Sequence, residues 1–162
     1  MAITRLPAVV LSILLASAAL GAQVPANFSG TWAFDQSKSN LGGSQYFIAV
    51  LKITQTATML TIESTAKRQG SDDFISTDKF TLDGKEITTK ESYATRRIAA
   101  KWSEDKKSLT ITTIMTLMDT KEEYRPDDTY HLAADGKPLT MTNVYKNPMA
   151  QGSATVVFNR MS

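Results

Sequence analysis

Two carboxylates fall where strand alternation would carry them among apolar and aromatic side chains. Over 73–82, Asp78 shares a face with Phe74, Ser76, Phe80 and Leu82; over 122–133, Asp128 shares one with Tyr124, Tyr130 and Leu132. A carboxyl in an apolar pocket has its pKa raised and could move protons near neutral pH, although buried polar groups more often serve only as hydrogen-bonding partners. Other chemistries lack their parts. The chain has no Cys, which removes thiol catalysis and thiolate metal sites. It has no Gly-x-Ser-x-Gly elbow, no His-Glu-x-x-His and no phosphate-cradling glycine loop. The single histidine, His131, alternates away from Tyr130 and Leu132 toward solvent, and nothing near it in sequence offers a second metal ligand. Asp72-Asp73 and Asp127-Asp128 are adjacent pairs rather than the spaced acidic loop that wraps calcium, and they read as turn and strand-end charge. Arg96 and Arg97 alternate across a strand, so they cannot both face one anion. No metal or cofactor is implied, and the expectation is a protein that is not an enzyme.

The elements that must position these groups are strands. Period-two alternation of Thr, Ile, Val, Tyr and Phe marks segments near 28–35, 46–55, 59–67, 73–82, 85–91, 95–103, 108–118, 122–133, 138–146 and 153–161. Turn signals separate them: Gln69 to Asp72, Asp83-Gly84, Glu104 to Lys107, Asp135-Gly136, and Asn147-Pro148 with Gly152. The two Asp-Gly pairs are the strongest, because tight hairpins need positive φ. Short connections join antiparallel neighbours, since a parallel crossover takes a dozen or more residues. The expected fold is all-β, an antiparallel up-and-down barrel of about 8–10 strands, closure removing the edges that a long open sheet would expose. A two-sheet sandwich is the rival. The longer connection from Gln36 to Ser44 could hold one turn of 3₁₀ helix or a flap over one barrel end.

Parity then assigns an interior. Leu60 and Ile62 share a face with Ser64 and Ala66; Leu109, Ile111 and Met115 share one with Thr113; Leu139 and Met141 share one with Asn143 and Tyr145. Burying Asp78, Thr113, Asp128 and Asn143 without partners would cost roughly 1–3 kcal/mol each. Either the interior is a partly hydrated cavity, or these residues sit near strand ends or past a bulge that flips parity. On the cavity reading, the candidate ligand-binding residues are Leu60, Ile62, Asp78, Phe80, Trp102, Thr113, Met115, Asp128, Tyr130, Met141, Asn143, Tyr145 and Phe158. Tyr130, Asn143 and Tyr145 would be polar anchors.

The chain divides into a signal peptide, 1–22, and a single domain, 23–162. Leu6 to Leu20 is apolar behind Arg5, and Ala18, Ala19, Gly21 and Ala22 follow as at a signal-peptidase site. The apolar run is shorter than the roughly 20 residues that span a bilayer, so no membrane anchor is expected after cleavage. The short leader with little charge looks bacterial, which would place the mature protein in the periplasm or outside the cell. Asn27-Phe28-Ser29 fits the glycosylation pattern by accident on that reading. The net charge of +2 is spread over interspersed signs, without the basic stripe of a nucleic-acid binder.

The segment Phe28-Ser29-Gly30-Thr31-Trp32 resembles the opening of the calycin superfamily, the lipocalins and fatty-acid-binding proteins, whose first strand carries Gly-x-Trp. The resemblance implies that Trp32 plugs one barrel end and that Arg160 stacks on it as a structural pair. Leu51 to Ile62 resembles the second hairpin of the fatty-acid-binding group, which ten strands fit better than the eight of lipocalins. Two departures stand beside this. No room exists between Phe34 and Tyr46 for that group's helix pair, and its carboxylate-clamping Arg and Tyr match Val156 and Phe158 here. The opening, with Ser37-Lys38-Ser39 and with Leu132 to Thr140, also resembles small exported bacterial lipocalin-like proteins. The function implied is an interior site for a small, mostly apolar or amphipathic molecule. The alternatives are a filled barrel acting as an interaction or structural module, and a barrel isomerase or hydrolase using an interior Asp.

Overall fold

The structure, a computed structural model, describes residues 23–68 and 72–162. Residues 1–22, the expected signal peptide, and Gln69 to Ser71, from an expected turn, lie outside the described residues. Ten strands form one antiparallel sheet: β1 (Gly30–Phe34), β2 (Tyr46–Gln55), β3 (Met59–Arg68), β4 (Phe74–Thr81), β5 (Ile87–Lys90), β6 (Ala94–Trp102), β7 (Ser108–Leu117), β8 (Glu123–Leu132), β9 (Leu139–Lys146) and β10 (Gln151–Arg160). Each lies within two residues of a segment marked by alternation. Their order is β4-β3-β2-β1-β10-β9-β8-β7-β6-β5, which excludes the sandwich. Every neighbour in the chain is a neighbour in space except β4 and β5, and β1 meets β10. The sheet curls into a half-barrel around one core.

Alternation works here as a division of labour between faces. The inward row Leu109, Tyr130, Met141 and Val156 runs across four strands, and all four residues are buried. The adjacent outward row is Thr110, Thr129, Thr142 and Thr155, where Thr110 Oγ1 lies 2.9 Å from Thr129 Oγ1. Branched hydroxyls fit this pleated outer surface and pair across it.

One hairpin differs from expectation. Gly84 has the anticipated positive φ, 77°, yet β4 and β5 do not pair. The ladder of β4 is taken by β3 and that of β5 by β6, so the Asp83-Gly84 turn joins the two free edges of the sheet. Closure by hydrogen bonds therefore stops at this seam. Side chains span it instead: Arg96 Nη2 on β6 lies 3.5 Å from Asp78 Oδ1 on β4. Both are about one-third exposed, which limits such a pair to about 0.2–1 kcal/mol.

The end nearest the N-terminus is closed by the incoming chain. Ala26 N donates to Lys106 O at 2.9 Å, and the Gln55 amide holds both sides of the segment, accepting from Phe28 N and donating to Ala26 O. Phe28 is thereby set flat against Trp102, ring centres 5.6 Å apart, with Tyr130 beside it. Trp32 Nε1 donates to Phe28 O at 2.9 Å, and the Arg160 guanidinium lies 4.2 Å over the Trp32 ring while donating to Ser29 O at 2.8 Å. An indole and a guanidinium attract through the ring quadrupole. Every polar atom named here has a partner, so this end can be dense.

Candidate functional site

The opposite end is open. Between the aromatic plug and the mouth lies a cavity of about 680 Å³, walled by β2–β4 on one side and β6–β10 on the other. Its depth is apolar, with Leu51, Ile62, Phe80, Ile111, Met141 and Val156; its upper wall carries Ser64, Ser76, Asp78, Arg96, Thr113, Asp128, Asn143 and Tyr145. The gradient follows from the rows of the sheet. One step along from Leu109, Tyr130, Met141 and Val156, the inward row becomes Ile111, Asp128, Asn143 and Ala154.

Of the thirteen candidate residues, Ile62, Asp78, Phe80, Thr113, Asp128, Tyr130, Met141, Asn143 and Tyr145 line the cavity. Four do not. Leu60 and Phe158 face inward but are sealed in the packed end, at 1% and 0% exposure. Trp102 is occupied by its stack on Phe28. Met115 lies past the cavity's edge, half-buried and opposite Arg96 in register. His131 is exposed, its Nδ1 3.0 Å from Ser108 Oγ.

Other lining residues escaped the sequence reading. Ile48 and Leu51 both face the cavity although they are three apart, because the register between β2 and β3 shifts between Ile48 and Val50. A bulge of this kind flips parity, and nothing in the run Phe47-Ile48-Ala49-Val50-Leu51 marks it. Leu41 to Ser44 reach the mouth from the connection after β1. That connection does contain a 3₁₀ turn, Gln36–Lys38, capped by Asp35, whose Oδ1 accepts from Ser37 N. Asn40 then exchanges two backbone hydrogen bonds with Thr155, of 2.7 and 2.8 Å, fastening the loop to β10. Alternation lets only one of Arg96 and Arg97 face inward: the structure turns Arg96 to the cavity, while Arg97 reaches Glu86 and Glu123.

The electrostatics of the wall are uneven. Arg96 is held by Asp78 and by Glu91, each at 3.5 Å. Among the described residues, Asp128 is met by an amide alone: Asn143 Nδ2 donates to its Oδ1 at 2.7 Å. Burial raises the Asp128 pKa above the usual carboxylate range; the Asn143 hydrogen bond works against this and the neighbouring Asp127 carboxylate adds to it. Burial also raises the Tyr130 pKa, with Asp128 and Asp78 pushing the same way, so Tyr130 remains a neutral phenol able to donate.

The sign of the pH effect follows. A carboxyl with a higher pKa folded than unfolded favours the fold most when protonated, so its contribution is complete below the unfolded value and is lost as pH rises through the folded one. Asp128→Asn should remove this loss while keeping an oxygen for Asn143. We expect the variant to be more stable than wild type at pH 7 by about 1 kcal/mol, the low end for relieving a desolvated polar group, with the gap closing toward pH 3. Urea titrations at several pH values read this directly; a variant less stable at pH 7 would show that the carboxylate is fully compensated.

No model of a known protein family matches the chain, and no curated protein does.

Proposed function

We propose that this protein is an exported, lipocalin-like half-barrel that carries a small, mostly apolar molecule in its interior. The observation that carries the reading is the cavity of about 680 Å³, apolar in its depth and polar at its open mouth. Pockets that bury small ligands span roughly 300–1,000 Å³ and combine apolar walls with a few placed polar groups. A filled structural module would put side chains into that space, so the cavity favours carriage over the interaction reading. The calycin resemblance adds support through the Gly30, Trp32 and Arg160 arrangement, and the leader-like 1–22 supports export to a bacterial periplasm or beyond. A fatty-acid clamp is not part of the proposal, because Val156 and Phe158 stand at the positions it would use.

Native mass spectrometry of protein purified without denaturant tests the proposal. We expect an extra mass of roughly a few hundred daltons, as a pocket of this class would hold, absent after denaturing extraction. Ala154→Phe, which adds a ring to the cavity wall, should cut the loaded fraction at least about fivefold, equivalent to about 1 kcal/mol. A bare mass in wild type, with no thermal shift across a panel of apolar metabolites, would turn the reading toward a protein partner.

A further inference from the structure

The cavity wall has one charged group that its own neighbours do not neutralise. Asp78 has Arg96, and Glu91, just outside the lining, has Arg96 as well. Arg96 is the one cationic side chain among the described lining residues. Among the described residues, no ion pair includes Asp128. Its contact is the Asn143 amide, which satisfies one lone pair of one oxygen. The carboxylate thus stands at the join between the apolar depth and the polar wall, next to Tyr130 below and Asn143 beside it. A carboxylate so placed is poorly solvated, and a ligand group that restores its missing partner gains more there than it would in water.

We propose that the molecule carried in this cavity is an amphipathic amine, its protonated nitrogen seated against Asp128 and its apolar body directed toward Phe80, Ile62 and Met141. The inference rests on the reading of the cavity as a ligand site and adds the chemical class. An ammonium is the complement that the wall lacks. A ligand carboxylate would meet Asp128 with like charge, and the guanidinium that could have received it is already engaged by two acidic groups. Tyr130 and Tyr145 also line the cavity, and aromatic faces attract an ammonium that lies within about 6 Å. Burial raises the proton affinity of Asp128, with the Asp127 carboxylate adding to it, and a bound ammonium would act in the opposite direction.

Three probes with one alkyl chain separate the possibilities: decylamine, decanol and decanoate, each titrated below its micelle-forming range against the whole mature protein at pH 7. Calorimetry is expected to show decylamine binding at least tenfold tighter than decanol, and decanoate weaker than decanol. In Asp128→Asn the ratio of amine to alcohol affinity should fall to about one. Equal amine and alcohol affinities in wild type, or a preference for decanoate, would overturn the amine assignment while leaving an apolar carrier intact. A tenfold ratio that survives Asp128→Asn would overturn it too, by placing the ammonium elsewhere. If none of the three binds, the carrier reading falls and the assignment falls with it.

Discussion

Replacing Trp32 with alanine is expected to lower the unfolding free energy by about 3–5 kcal/mol, the range for deleting a large buried aromatic. Trp32 is fully buried and joins three parts of the closed end. Its Nε1–H satisfies Phe28 O, its face receives Arg160, and its body packs within the cluster that includes Leu51 and Phe158. Alanine removes the hydrogen bond and the surface under the guanidinium together, and the rigid sheet around it cannot collapse fully into the space. Urea denaturation should show a lower midpoint at unchanged slope, the signature of lost stability without a change in exposed surface. A loss below about 1 kcal/mol would mean that this end is loosely filled and that Phe28 and Trp102 close it without the indole.

Gly30→Val should cost about 2–4 kcal/mol by a related route. Gly30 has φ 145°, a conformation that side-chain-bearing residues rarely adopt, and a Cβ there would run into Arg160 Nη1. Strain of this kind costs about 1–3 kcal/mol. Displacing the guanidinium also breaks its hydrogen bond to Ser29 O, and bonds to charged groups contribute about 1.5–3 kcal/mol. The spacing Gly-x-Trp then has a local cause: the glycine leaves room for the arginine that covers the tryptophan two residues on. The mechanism is tested by coupling. In an Arg160→Leu background, Gly30→Val should cost measurably less than in wild type, because both changes break one contact. Strict additivity would locate the whole cost in the backbone.

The strands were legible because alternation is a local signal repeated ten times, strengthened by threonine on the outer face. β2, read as 46–55, is Tyr46–Gln55 in the structure. Face assignment was legible on β3, β7 and β9, where the period runs unbroken, and this brought Ile62, Thr113 and Asn143 to the cavity. It failed in two ways with distinct causes. Distance along a face is not readable from parity, so it groups Leu60 and Phe158 with cavity residues although both are buried within the packed core cluster. The bulge in β2 was invisible, because the residues around it are all apolar and suit either face. The open seam was hidden for a third reason. Asp83-Gly84 has the backbone of a hairpin turn, and whether the strands it joins remain together is decided by partners far away in the chain.

The pairing of β1 with β10 sets the order in which this molecule can be completed. Ser29 and Arg160 are 131 residues apart in the chain and hydrogen-bonded in the fold. Strands β2 to β4 can pair locally as they emerge, as can β5 to β9, but no strand ladder links these two ribbons until β10 pairs with β1 and β9. Contacts of such long sequence separation slow folding, since loop closure costs entropy before any contact rewards it. A chain cut short before β10 would leave β1 and β9 each with a bare edge, and bare edges pair with other chains. β10 therefore acts as the keystone of the sheet: the facing edges of β1 and β9 are covered only once it is in place.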